Sequence, residues 1–146
     1  MKRFLYVLLL VSSLYFGQNT EQDLVKETID KLFTGMKNTD SEMMESVFTE
    51  NAILQTISKD GIIKTDELKG FVSSVSGYSK NDVDERISYS SIQIDGNLAS
   101  VFTPYDFYFK GKFSHCGANS FQLVKQNNLW KIQYLIDTRR KENCKK

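Results

Sequence analysis

RISYSSIQI (86–94), LASVFTPYDFYFK (98–110), KFSHCGANSFQLVK (112–125) and LWKIQYLIDTR (129–139) are the stretches that decide the fold of this chain. Each is rich in β-branched and aromatic residues, which fit a pleated, half-buried surface. Their separators, Asp95-Gly96-Asn97, Gly111-Lys112 and Asn127-Asn128, have the chemistry of tight turns. The tract therefore predicts four consecutive antiparallel strands.

Upstream the period changes from two to that of a helix. Leu24, Val25, Ile29, Leu32, Phe33 and Met36 recur at helical spacing, with Glu, Lys and Asp on the other face. This predicts an amphipathic helix over 21–36. Thr39 and Glu42 have capping-box spacing, and Asp40 or Ser41 is placed to cap a short second helix through Val47. AILQTIS (52–58) reads as a strand, Asp60-Gly61 as a hairpin turn and IIKT (62–65) as its return. A third helix is expected over 66–75 with Thr65 as cap, then an exposed loop over 76–84. Helices first and a long antiparallel sheet afterwards define the α+β class.

The first residues, MKRFLYVLLLVSSLYFGQ, combine Lys2 and Arg3 with a short apolar run and small residues before Gly17. They read as a secretory signal peptide over 1–17, leaving one domain over 18–146. The apolar run is too short for a stable membrane span, which takes about 20 residues. The 19 basic and 18 acidic residues give a formal charge of +1, and loss of Lys2 and Arg3 leaves 17 against 18, or −1. Such a balance lacks the basic footprint of a nucleic-acid binder. An exported, periplasmic or extracellular chain with two cysteines favours a Cys116–Cys144 disulfide. Closing a loop of about 29 residues would stabilise the fold by roughly 3–4 kcal/mol in the chain-entropy picture. The other readings are two free thiols or a metal pair with His115. Two cysteines and the only histidine make a thin ligand set, and no metal or cofactor is expected.

The order helix, short helix, hairpin, helix and four-stranded meander ending in LWKIQYLIDT resembles the nuclear transport factor 2-like superfamily, which includes SnoaL-like cyclases and ketosteroid isomerases. FTGMKNTD, LQTIS, the tract from Ile92 to Leu123 and WKIQYLIDTRRKENC are similar, more narrowly, to the secreted bacterial proteins grouped as putative lumazine-binding. The resemblance covers essentially the whole chain after residue 17, and 92–144 is its most specific part. It implies a cone, in which about three N-terminal helices lid a strongly bent, mainly antiparallel sheet around a pocket. It implies no particular chemistry, since members of this fold differ in function.

Pairing the strands through a Gly111-Lys112 turn sets Tyr108 opposite His115, and an Asn127-Asn128 turn sets Phe121 opposite Tyr134. Alternation then collects Phe102, Asp106, Tyr108, His115, Asn119, Phe121, Leu123, Ile132, Tyr134 and Ile136 on one face. Aromatic walls with a few polar groups make this the expected pocket lining. A bulge would swap the assignment partway. The other face holds Val101, Thr103, Tyr105, Phe107, Phe109, Leu135, Asp137 and Arg139, and its apolar area predicts a homodimer. Candidate ligand residues are His115, Tyr108, Asp106, Asn119 and Tyr134, with Gln55 on the first strand and Arg139 in the basic tail TRRKENCKK. His115 titrates near neutrality and suits acid–base work. It serves equally well as a structural hydrogen-bonding group. Trp130 reads as core rather than a stacking platform.

No G-x-S-x-G, P-loop or H-E-x-x-H sequence occurs, which disfavours the corresponding serine hydrolases, nucleotidases and zinc proteases. Three functions stay open. The first is a secreted binder of a small aromatic or anionic molecule. The second is a cyclase, isomerase or dehydratase using His115 with an Asp or Tyr. The third is a dimeric interaction module without a ligand.

Overall fold

The computed structural model describes residues 20–144, so the signal peptide expected over 1–17 lies outside the described residues. The element order is α1 (Glu21–Asn38), α2 (Ser41–Ser46), β1 (Phe48–Ile57), β2 (Ile63–Asp66), α3 (Leu68–Ser76), β3 (Val83–Ile87), β4 (Ser91–Asp95), β5 (Leu98–Phe109), β6 (Lys112–Gln126) and β7 (Leu129–Arg140). The seven strands form one sheet in the order β2-β1-β7-β6-β5-β3, with β4 also paired to β5. Every pairing is antiparallel except β1 with β7. No helix among the described residues is long and apolar enough to cross a membrane.

Helix α1 starts at a capping box, Thr20 with Asp23, whereas the Thr39–Glu42 pair expected at the start of α2 forms none. The Thr20 hydroxyl accepts from the Asp23 N–H, and the Asp23 carboxylate accepts from the Thr20 N–H at 3.0 Å. Thr39 instead closes α1 in the left-handed conformation, φ 56°, and Asp40 caps α2 by accepting from the Met43 N–H at 2.9 Å. The buried stripe Val25, Ile29, Leu32 and Met36 lies on the sheet's concave side. Each fully buried side chain of this size stabilises by about 1.5–3 kcal/mol. Helix α3 begins at Leu68, two residues later than expected, and Glu67 makes no side-chain cap.

Two sequence expectations fail for identifiable reasons. The stretch 86–94 is not one strand, and its first strand starts at Val83, inside the expected loop. It breaks at Ser88–Ser90 opposite Pro104, which has no N–H to donate to the ladder. Three residues there face two, and Tyr89 turns to donate its hydroxyl to the Lys26 carbonyl and the Asp30 carboxylate, at 3.1 and 2.7 Å.

The second failure concerns register. The β5–β6 turn is Lys110-Gly111, both with positive φ, one residue earlier than expected. A register shift between Phe107 and Tyr108 follows, so Phe107 faces His115 and Tyr105 faces Gly117. Across β6–β7 the expected Asn127-Asn128 turn forms, but a second shift lies between Gln122 and Leu123. Beyond it Phe121 faces Leu135 and Asn119 faces Asp137. Gln133, beside this shift, accepts from the Thr49 hydroxyl and donates to the Asn51 carbonyl, within a matching irregularity of β1. Bulges of this kind bend a sheet.

The concave face is therefore built from cross-strand rows. Ala99, Leu123 and Ile132 form one, and Val101, Phe121, Leu135 and Leu54 the next. Then come Thr103, Asn119, Asp137 and Thr56, followed by Ile87, Tyr105, Gly117 and Arg139, and finally Glu85, Phe107 and His115. The sequence alternation predicts an outer apolar face with Val101, Phe107 and Phe109. Val101 is instead 1% exposed in the core, and Phe107 and Phe109 pack against that core. The convex face carries Ile53, Ile63, Leu98, Phe102 and Phe113 among its exposed apolar residues. Cys116 and Cys144 are bridged, with Cα atoms 5.7 Å apart.

Candidate functional site

Past the row containing Phe121, the helices no longer fill the concave side and a cavity of about 550 Å3 remains. Leu32, Phe33 and Met36 of α1 and Phe71 and Val75 of α3 roof it. Tyr105, Phe107, His115, Asn119 and Leu135 are its floor, and Tyr78, Val83 and Glu85 close one side. Lys64, Asp66, Glu67 and Arg139 stand around it with Asp137. Pockets of about 300–1,000 Å3 with apolar walls and few polar groups are the usual form of a small-molecule site.

One polar cluster is closed on itself. Asp137 accepts from Thr56 at 2.5 Å, from Tyr105 at 3.3 Å and from Arg139 Nε at 3.0 Å. Tyr105 also reaches the Thr138 carbonyl at 2.8 Å, and Arg139 donates to Thr56 at 3.2 Å. Tyr105 lies across the sheet only because residue 117 is glycine. A Cβ there would sit 1.8 Å from the Thr138 oxygen and 2.8 Å from the tyrosine ring and hydroxyl. Burial and the charges of Asp137 and Glu85 hold the Tyr105 hydroxyl well above its ordinary value.

A second cluster is open. Asn119, 4% exposed, donates through Nδ2 to Glu85 Oε1 at 2.8 Å and to Thr103 at 3.4 Å. Glu85 touches the cavity, yet protein surrounds its carboxyl, and this enclosure pushes its pKa up to about 7. The negative charge of Asp137 adds to the rise, while Asn119 and Arg139 oppose it. His115 stacks on Phe107 at 4.7 Å and meets Tyr105 edge-on at 5.8 Å. Its Nδ1 lies 3.1 Å from the Ser114 hydroxyl. Burial and then the Arg139 charge lower its pKa, so the neutral ring is favoured.

Of the residues singled out from sequence, the structure brings His115, Asn119 and Arg139 to the cavity. Asp106, Tyr108 and Tyr134 lie on the convex face, because the two register shifts turn their strand segments over, and Gln55 lies there beside Tyr134. There the Arg86 guanidinium sits 4.0 Å over the Tyr108 ring, and Tyr134 donates to Gln55 at 2.7 Å. Glu85 was missed altogether. Its signal was the alternation Val83-Glu85-Ile87, which places a carboxylate between two inward apolar residues. Among the described residues no three His, Cys, Asp or Glu side chains converge on a metal position.

The sequence over residues 20–133 matches the family described as "Putative lumazine-binding". The chain belongs to this family. No curated protein matches it. Among solved structures, an NTF2-like protein of unknown function from Shewanella baltica is 20% identical, with a TM-score of 0.69 over 84% of this chain and 98% of the other. An NTF2-like protein from Cytophaga hutchinsonii is 16% identical, with a TM-score of 0.64 over 84% and 100%. A protein of unknown function from Mycobacterium tuberculosis is 15% identical, with a TM-score of 0.62 over 80% and 70%. At these identities the likeness is one of fold, and the putative lumazine-binding family shares the NTF2-like cone expected from the sequence.

Proposed function

We propose that this protein is a secreted binder that encloses a flat, partly aromatic small molecule in the cone. The cavity of about 550 Å3 carries the reading, because it combines aromatic walls with the polar groups Glu85, Asn119 and His115. The family description makes lumazine, a pteridine-2,4-dione, a first compound to test. The anionic alternative loses its main support, since Arg139 is engaged by Asp137 and Thr56. Export after cleavage at Gly17, leaving one domain over 18–146, agrees with the Cys116–Cys144 bridge. Native mass spectrometry of protein purified from its own host, against a denatured, non-reduced sample, tests the reading. The expected result is an added mass that denaturation removes. An empty protein that also shows no thermal shift with lumazine or other pteridines would sink it.

Catalysis is the second reading, favoured by Glu85 at about 7 in the same sheet row as His115. A group titrating near neutrality suits proton transfer at neutral pH. Substitution of His115 by Ala with retained fold and lost conversion of the bound molecule would support it; an unaltered bound molecule and unchanged affinity would remove it. A homodimer is proposed through the convex face, where Ile53, Phe102 and Phe113 are exposed. Light scattering at micromolar concentration tests this, and a clean monomer mass would count against it.

A further inference from the structure

The ligand's charge class follows from how the cavity's own charges are used. Four carboxylates, Asp66, Glu67, Glu85 and Asp137, line it against two cations, Lys64 and Arg139. Lys64 pairs with Asp66 at 3.0 Å and Arg139 with Asp137 at 3.0 Å, both near solvent. His115 is held neutral and supplies no counter-charge. Glu85 is the carboxylate left facing the interior. Its described hydrogen-bond partner is the uncharged Asn119 amide, and no salt bridge reaches it among the described residues. A carboxylate enclosed by apolar walls is costly unless a cation or a set of N–H donors meets it.

Asn119 is buried and tied to Thr103 as well, so it fixes Glu85 without neutralising it. Glu85, Phe107 and His115 occupy one sheet row. With neighbouring strands about 4.8 Å apart, the outer two backbones lie roughly 10 Å from each other, with the Phe107 side chain between them as an aromatic surface at the cavity.

We propose that the cavity selects a heteroaromatic ligand whose edge presents paired N–H donors or a cationic amidine, with Glu85 as its counter-group and Asn119 holding the carboxylate in place. This rests on the binding reading above and adds to it the class of ligand. Such an edge offers two parallel N–H groups to the two carboxylate oxygens, the geometry that makes charged pairs strong and specific. An imide edge such as that of lumazine offers one N–H between two carbonyls. Toward ionised Glu85 it turns a carbonyl oxygen, which is unfavourable, whereas the paired donors hold the ionised form.

The test compares two probes of nearly equal size and shape, 2,4-diaminopteridine and lumazine, titrated into the wild-type protein and into Glu85→Gln by calorimetry at pH 7. The wild type is expected to bind the diamino compound at least tenfold more tightly, and Glu85→Gln to lose most of that preference. Because the wild-type comparison needs no variant, it stands even if Glu85→Gln folds poorly. Equal affinities, tighter lumazine binding, or a preference that survives in folded Glu85→Gln would overturn the proposal while leaving the binding reading intact. If neither pteridine binds but a host molecule is retained, an amidine or aminopyrimidine edge on that molecule supports the proposal and its lack overturns it. A protein that binds neither probe and holds nothing overturns both.

Discussion

The concave face has two ends made by the same strands with the same alternation, and they do opposite things. At one end Ala99, Val101, Phe121, Leu123 and Ile132 are fully buried in one core with Ile29 and Leu32 of α1. At the other, Thr103, Asn119 and Asp137, then Tyr105, and then Phe107 and His115, lie beside a cavity. The difference is set by cover. The five-turn helix α1 fills the first end, whereas α3, nine residues long and starting without a side-chain cap, roofs the second only in part. Polar residues are tolerated at the second end because each has a partner or a wet surface, as buried polar groups require. A core and a pocket are thus one sheet surface under a close lid and a loose one.

The comparison is most sharply tested by shortening one aromatic residue at each end. Phe121→Ala should destabilise by about 3–5 kcal/mol in urea unfolding. Phe107→Ala should cost less than half of that, because space beside it is already open. Equal losses would mean that the second end is packed like the first. Next in size is Gly117→Ala, whose new Cβ would meet backbone oxygen and the Tyr105 ring. A loss of about 3 kcal/mol is expected, with Tyr105 displaced from Thr138. An unchanged melting temperature would show that this glycine is not needed for the closed polar cluster.

A smaller effect separates the polar groups of the open end. Folded Glu85 keeps its proton up to about pH 7, against an ordinary value of 4.5. Between those values the folded state binds more protons than the unfolded chain, so this group's contribution to stability falls as pH rises, and it is constant above. His115 acts in the opposite sense, losing stability as pH drops through and below 6.5, since its folded pKa is lowered. Asp137 and Arg139 also face Glu85. The difference between Glu85→Gln and wild type isolates the carboxyl, and it should grow in favour of the variant from pH 4.5 to pH 7. A flat difference would place Glu85 in water. The smallest effect is expected on the convex face, where Asp106→Asn and Tyr134→Phe should leave ligand affinity unchanged and cost at most about 1 kcal/mol of stability. A tenfold loss of affinity from either would return them to the pocket.

The register error shows how far alternation carries. His115 and Asn119 were placed on the pocket side because their strand runs without an internal break between them. Asp106, Tyr108 and Tyr134 were placed beside them by counting across two turns, and a slip of one residue moves a whole strand segment to the opposite face. The turn centred on Lys110-Gly111 rather than Gly111-Lys112 moves the pairing by two residues and keeps the faces, so the two slips are the register shifts between Phe107 and Tyr108 and between Gln122 and Leu123. Glu85 was hidden because a polar stretch ahead of it reads as loop until its strand is seen paired with β5.

By itself the sequence determined the α+β class, the amphipathic α1, most of the strands of the sheet, the cysteine pair and the family resemblance. Those depend on local periodicity and on residues close in the chain. Tertiary structure alone decided which face of β5 and of the second half of β7 turns inward, that Glu85 meets Asn119, and that Arg139 is given to Asp137. These outcomes depend on bulges, whose positions are set by how strands distant in sequence pack and bend, and one residue of shift there changes the chemistry of a whole wall.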